Sequence, residues 1–287
     1  MPKKKYFSPL RYPGGKSKIS KYVQNLITAN NLNDSTYIEP FAGGASVALY
    51  LLINSYVSKI IINDFDKSIY AFWYSVLNHT DTLCEKIKNT PIDIEQWYLQ
   101  KDIQNNKKSQ DILELGFSTF FLNRTNRSGI IKAGVIGGLN QSGNYKMDCR
   151  FNKDELIDRI RLIAEYKEFI ELYNLDTIEL IHYVMPEITE RSFIFFDPPY
   201  YNKGSQLYVN FYKHDDHYEL SQSISSINNH CWIVTYDYDS RIEKMYRQFR
   251  NKTYCLKYTA EKKYTGHEYM FFSDNLKIPE ALESVII

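Results

Sequence analysis

Short apolar runs that stop at an acid recur along this 287-residue chain, separated by stretches with helical spacing. "STYIEP" (35–40) closes on Glu39, "SKIIIND" (58–64) on Asp64, "RSFIFFDPPY" reaches Asp197, and "CWIVTYD" (231–237) ends at Asp237. "EFIELYN" (168–174) reads as another strand, and "KTYCLKY" (252–258) and "HEYMFFS" (267–273) as two closing ones. Strands alternating with helices predict a doubly wound, mostly parallel seven-stranded α/β sheet. Ligands in such sheets sit beyond the carboxyl ends of the strands, so the four acids form a candidate binding rim. Acids at such positions also cap the helices that follow.

Residues 75–167 break the alternation. "ELGFSTFFLNR" and "NKDELIDRIRLIAEY" have helical spacing around a Gly-, Asn- and Arg-rich loop, 123–152. The expected organisation is a core made of 1–74 and 168–287, with 75–167 as a helical inserted domain. Hydrophobic residues are 44% and charged residues 24%, as in ordinary folded domains. The net charge of +1 excludes a globally basic nucleic-acid binder, so any such surface has to be local. None of the four cysteines forms a C-x-x-C pair, which argues against structural zinc. The N-terminus lacks a signal-peptide core, and "VALYLLI" (47–53) is too short to span a bilayer. A cytoplasmic protein without a membrane partner is expected.

Two glycine stretches compete for a nucleotide. "YPGGKSK" (12–18) resembles the tail of a P-loop, but position 10 is Leu where that pattern needs glycine, and no buried strand precedes it. "EPFAGGAS" (39–46) follows the first strand. Adjacent glycines let a ligand approach the backbone closely, and the next helix presents free N–H groups. Asp64, at the end of the second strand, is placed to accept hydrogen bonds from ribose hydroxyls. The inferred ligand is a nucleoside without a polyphosphate.

The run "FFDPPY" ends a buried strand with a charge and two residues lacking an N–H. Two prolines hold the backbone rigid and keep Asp197 out of helical geometry. The Asp197 carboxylate and the Pro198 carbonyl become fixed acceptors for both hydrogens of an NH₂ group, and Tyr200 offers a flat face. Such acceptors stabilise the positive charge that grows on an aromatic amine as it attacks. Tyr201 and Tyr208 are further candidate pocket walls. "KHDDHYEL" (213–220) has metal-like residues, but Asp215 or Asp216 there suits a helix cap, and no metal is expected.

"RYPGGKSK", then "EPFAGGAS", then an insertion that contains "FFLNRTNRSGI" (120–130), and last "DPPY", in this order along the chain, resemble the Dam-type (D12 class) DNA adenine-N6 methyltransferases. The resemblance covers nearly the whole chain. It implies a class I, Rossmann-like methyltransferase fold, S-adenosylmethionine as cofactor and duplex DNA as substrate. It implies that Tyr12, Gly15 and Lys16 border the methionine part of the cofactor, that Glu39, Phe41, Ala42, Gly43 and Gly44 form the cofactor turn, and that Asp64 holds the ribose. Asp176 faces the adenine amine by the same resemblance, and is equally placed to cap the next helix. Asp197, Pro198 and Tyr200 hold a target adenine flipped from the duplex for direct in-line attack.

Arg124, Asn126, Arg127, Lys132, Lys146 and Arg150 in and near the inserted loop are candidate DNA contacts; Arg suits guanine and Asn suits adenine in the major groove. Lys3 to Lys5 either touch phosphate or form a solvated tail. The loop "KAGVIGGLNQSGNYKMDCRFNK" departs from GATC-specific members, which leaves the recognition sequence open. A cognate restriction endonuclease is a possible partner, and a monomer or weak dimer is expected. The rival readings are an RNA amino-methyltransferase and a non-catalytic DNA-binding protein on the same fold.

Overall fold

The computed structural model describes residues 6–12, 15–202, 212–258 and 264–280. Lys3 to Lys5 and Tyr208 lie outside these. In chain order the elements are α1 (Ser20–Ala29), β1 (Thr36–Glu39), α2 (Ser46–Ile53), β2 (Lys59–Asn63), α3 (Lys67–Asn78), α4 (Thr80–Asn89), α5 (Ile94–Asn105), α6 (Ile112–Thr125), α7 (Lys153–Ala164), β3 (Ile170–Tyr173), α8 (Thr177–Glu179), β4 (Phe193–Phe196), α9 (His214–Ser225), β5 (Cys231–Asp237), α10 (Ser240–Met245), β6 (Arg250–Tyr258) and β7 (Tyr264–Phe272). They form two compact units, Met1–Gly15 with Asp66–Glu168, and Lys16–Phe65 with Phe169–Ile287.

The second unit is built on one seven-stranded sheet of order β3-β2-β1-β4-β5-β7-β6. The first five strands are parallel neighbours, and β7 runs antiparallel to both β5 and β6. This is the doubly wound, mostly parallel sheet expected from the alternation. Every residue of β1 and of β4 is buried, as befits parallel strands covered on both faces. Tyr37 pairs with Phe193 across β1 and β4, with their rings stacked at 6.1 Å. The core continues through Ile38, Ile61, Trp232, Val234, Tyr246 and Phe271. From β1 the chain winds outward through β2 to β3; from β4 it winds the other way to β5. The strand order therefore reverses between β1 and β4, and the crevice beyond their carboxyl ends is the topological switch point.

The first unit is helical. Asp66, Asp93, Asp111 and Asn152 cap α3, α5, α6 and α7 by accepting backbone N–H groups with their side chains. Helix α6 is its centre, with every residue from Leu115 to Thr125 buried. Phe120 stacks on Phe72 of α3 at 5.8 Å. Helices α3 and α6 approach so closely that a Cβ at Gly116 would meet the Ala71 carbonyl oxygen at 2.5 Å, so glycine is required there. This contact places α3 in the helical unit alongside 75–167. Among the described residues, no helix is long and apolar enough to cross a membrane.

Candidate active site

Strand β4 delivers Asp197 to the switch point. Its Oδ1 accepts hydrogen bonds from Lys16 Nζ and from Thr235 Oγ1, each at 2.7 Å. Thr235 is next to Asp197 because β5 pairs in parallel register with β4, Phe196 opposite Val234. No described residue bonds to Oδ2, and the Asp197 side chain keeps 22% of its surface exposed. One carboxylate oxygen is thus locked in place and the other is presented. Burial raises the Asp197 pKa; the Lys16 ammonium opposes that shift and the Glu268 carboxylate adds to it.

Lys16 and Glu268 extend the cluster inward. Lys16 Nζ lies 3.6 Å from Glu268 Oε2 and donates to the Tyr200 hydroxyl at 3.3 Å. Tyr200 in turn donates to Glu268 Oε1 at 2.7 Å, and Tyr254 donates to Glu268 Oε2. Tyr254 reaches it because it stands directly opposite Glu268 across β6 and β7. Tyr200 is only 4% exposed, so the open aromatic face expected there is covered in the protein alone. Pro198 is buried beside it. Lys16, expected at the cofactor, reaches the Asp197 carboxylate.

The glycine turn after β1 is held from three sides. Gly43 and Ala45 have φ of +46°, a left-handed geometry that the turn imposes. Gly43 N–H donates to Asp64 Oδ2 at 2.9 Å, and Ala42 N–H to the Asn63 carbonyl at 2.8 Å. Asn63 also donates to the Pro40 carbonyl at 3.0 Å and accepts the Leu175 N–H at 2.9 Å, so it stitches β1, β2 and the exit of β3 together. Glu39 is turned inward. It accepts the Ala48 N–H at 2.9 Å and the Tyr37 hydroxyl at 3.0 Å, and burial pushes its carboxyl up to about 8. Phe41 packs edge-on to Tyr212 at 6.1 Å. Burial raises the Tyr212 pKa, with Asp176 and Asp64 adding to it, which brings all three into one electrostatic neighbourhood. Asp176 itself forms a capping box: it accepts the Ile178 N–H at 2.8 Å while Glu179 accepts the Asp176 N–H at 3.3 Å.

The rim of four acids therefore divides. Asp197 presents an oxygen and Asp64 holds the turn. Glu39 is a brace, and Asp237 spends its oxygens on the Tyr201 and Asn202 N–H groups, at 2.8 and 3.0 Å, fixing the chain just past Tyr200. Asp216 closes the start of α9 by accepting the Lys213 N–H at 2.7 Å.

In the helical unit, Gly15 N–H donates to the Tyr12 carbonyl at 3.0 Å. The expected DNA contacts separate by burial. Arg124 and Asn126 are corrected: both point inward. Arg124 donates through Nε to the Pro9 carbonyl at 2.7 Å, and burial beside Arg159, Arg11 and Arg150 pushes it down to about 9. Asn126 accepts the Trp97 indole N–H at 2.6 Å and donates to the carbonyls of Ile130 and Ile131. Asn123 clamps Arg11 by exchanging two 2.7 Å bonds with its backbone. Arg127, Lys132, Lys146 and Arg150 are exposed. Sequence reasoning missed Glu268, Thr235, Tyr254 and the cationic neighbourhood of Arg11 and Arg159. An acid inside the apolar run "HEYMFFS" is the one available hint.

A sheet of this order, with a glycine turn after its first strand and an Asp-Pro-Pro-Tyr corner after its fourth, is the Rossmann-like fold of class I methyltransferases. Residues 12–260 match the model of the D12 class N6 adenine-specific DNA methyltransferases, and the chain belongs to that family: it is an adenine-specific DNA methyltransferase. It is 28% identical over 221 residues to the Type II methyltransferase M.MjaIII of Methanocaldococcus jannaschii, covering 72% of this chain and 73% of that protein. It is 25% identical over 258 residues to the Type II methyltransferase M.CviBI of Paramecium bursaria Chlorella virus NC1A, covering 87% and 90%. Among solved structures, the rRNA methyltransferase aviRa from Streptomyces viridochromogenes aligns over 93% of this chain and 88% of that one, at 9% identity and a TM-score of 0.39, a likeness too slight to inform substrate.

Proposed function

We propose that the protein uses S-adenosylmethionine to methylate N6 of an adenine flipped out of duplex DNA, by direct in-line attack without a covalent enzyme intermediate. The observation that carries this reading is the Asp197 carboxylate, with Oδ1 locked by Lys16 and Thr235 and Oδ2 presented. The cofactor fits the residues present: a left-handed turn at Gly43 tied to Asp64, beside the aromatic pair Phe41 and Tyr212. Glu39 acts behind this turn as its brace, and Ala42 and Gly44 complete it. Asp64 accepts the ribose hydroxyls, and Asp176 supports the adenine side.

When bound, S-adenosylmethionine supplies a methyl carbon on a positively charged sulfur, which keeps the electron pair of the broken bond. Asp197 Oδ2 and the Pro198 carbonyl accept the two N6 hydrogens, which turns the nitrogen lone pair away from the ring and toward attack. N6 gains the methyl group and sheds one proton to Asp197 Oδ2, from which it passes to water. Holding the reacting atoms about 3–3.5 Å apart accounts for much of the acceleration. Base entry has to uncover the face of Tyr200. Flipping costs a few kcal/mol, and phosphate contacts offset it. Arg127, Lys132, Lys146 and Arg150, all exposed, supply those contacts.

Following the Type II relatives, we infer that the mark protects DNA from a cognate endonuclease. The test is incubation with tritiated cofactor and mixed-sequence duplex, followed by digestion to nucleosides. Label in N6-methyladenine is expected. Label confined to RNA, or no label with DNA binding intact, overturns the reading. Single-molecule sequencing of DNA from expressing cells then reads the recognition site.

A further inference from the structure

Two carboxylates share one ammonium in the wall behind Asp197. Lys16 and Glu268 have side chains 3% and 1% exposed, so water screens neither. Among the described residues, Lys16 pairs with both Asp197 and Glu268, and the three are linked into a single network. Lys16 donates to Asp197 and Tyr200, and Glu268 collects hydroxyls from Tyr200 and Tyr254. Lys16 Nζ lies closer to Asp197, at 2.7 Å, than to Glu268, at 3.6 Å. Lys16 thus joins a buried carboxylate to one whose side chain is 22% exposed.

We propose that Lys16 and Glu268 are opposed positioning residues for Asp197: Lys16 holds the carboxylate ionised and aimed, and Glu268 anchors Lys16 and Tyr200 while keeping that carboxylate basic enough to take the amine's proton. This rests on the reading that Asp197 receives the target amino group. In the step concerned an N–H bond of the methylated amine breaks, its electron pair stays on nitrogen, and the proton forms an O–H bond at Oδ2. The groups facing Asp197 are consistent with such a balance. Burial raises its pKa, Lys16 lowers it and Glu268 raises it, while Thr235 on β5 adds an uncharged hydrogen bond. From β1, Glu39 and Tyr37 feel the charge of Asp197. Burial pushes Glu39 up to about 8, toward its neutral form, and among the described residues Lys16 and Glu268 are the charged groups that shift Asp197.

The test titrates Asp197 directly in the full chain. The protein is labelled with ¹³C at the aspartate carboxyl carbon, and Asp197→Asn assigns the resonance. Lys16→Met is expected to move the Asp197 midpoint up, Glu268→Gln to move it down, and the double variant to fall between them. In single-turnover methylation the acid limb follows the same directions, with about a tenfold change in rate per unit of displacement on that limb. Midpoints that do not move, or that move the same way in both single variants, overturn the proposal. Should Lys16→Met fail to fold, the near-isosteric Glu268→Gln decides alone, and a midpoint that is not lowered sinks it. Wild-type protein that labels no adenine while the titrations diverge refutes the functional reading and leaves the charge coupling standing. Active wild-type protein with unmoved titrations refutes the coupling alone.

Discussion

Asp64, at the end of β2, accepts the Gly43 N–H of the turn after β1 at 2.9 Å. One carboxylate thus fixes the turn and faces the same crevice. Hydrogen bonds to a charged group contribute about 1.5–3 kcal/mol. Asp64→Ala is expected to weaken S-adenosylmethionine binding by roughly 10- to 100-fold, measured by titration calorimetry on the protein alone. An unchanged affinity removes Asp64 from the cofactor site.

Asp197→Ala separates binding from chemistry. Cofactor affinity should stay within about threefold of wild type, because the turn at Gly43 is anchored elsewhere. The single-turnover methylation rate should fall by about 10²-fold or more, the scale of losing a preorganised acceptor. Retained turnover refutes the role given to this residue.

Arg124 and Arg127 are three positions apart and predict opposite phenotypes. Arg124→Ala strands the buried Pro9 carbonyl, so it should lower the melting temperature, at a cost of about 1–3 kcal/mol. Arg127→Ala, at an exposed position, should leave melting nearly unchanged. It should flatten the dependence of log DNA affinity on log salt by about one unit. Filter binding at graded salt and a thermal melt distinguish the two.

Glu39 predicts a pH signature in stability. Its folded value of about 8 lies above the ordinary 4.5, so between these the native state holds a proton that the unfolded chain has released. The stabilisation is full below about pH 4.5, fades as pH rises and is gone above about 8. Glu39→Gln should abolish this decline, which amounts to a few kcal/mol at most. Denaturant midpoints at mildly acidic and mildly alkaline pH measure it. A wild-type midpoint that rises across this window, with Glu39→Gln unchanged, contradicts the burial argument.

Much of this architecture can be read from the chain, because each strand carries its own burial pattern. "CWIVTYD" is β5 residue for residue, and the other strands fall within a few positions of their sequence signals. Asp64, Asp197 and the glycine turn are legible for a related reason: they follow directly from where strands end. Glu268 is not, because its burial depends on Tyr254 across β6 and on Lys16 near the opposite end of the sequence. Arg124 and Asn126 mislead in the same way. At the end of a helix they look like surface groups, yet their partners Pro9 and Trp97 come from far along the chain. Local pattern predicts elements, while the use of a polar side chain is decided by neighbours that pattern cannot supply.

Strand β7 is threaded between β5 and β6 although it is translated after both. A nascent polypeptide that has exposed β1 through β5 still lacks Glu268, which arrives only with β7. Competence to mark DNA is therefore expected to wait for β7, and an enzyme truncated before this strand should be inert even where the glycine turn after β1 has already formed.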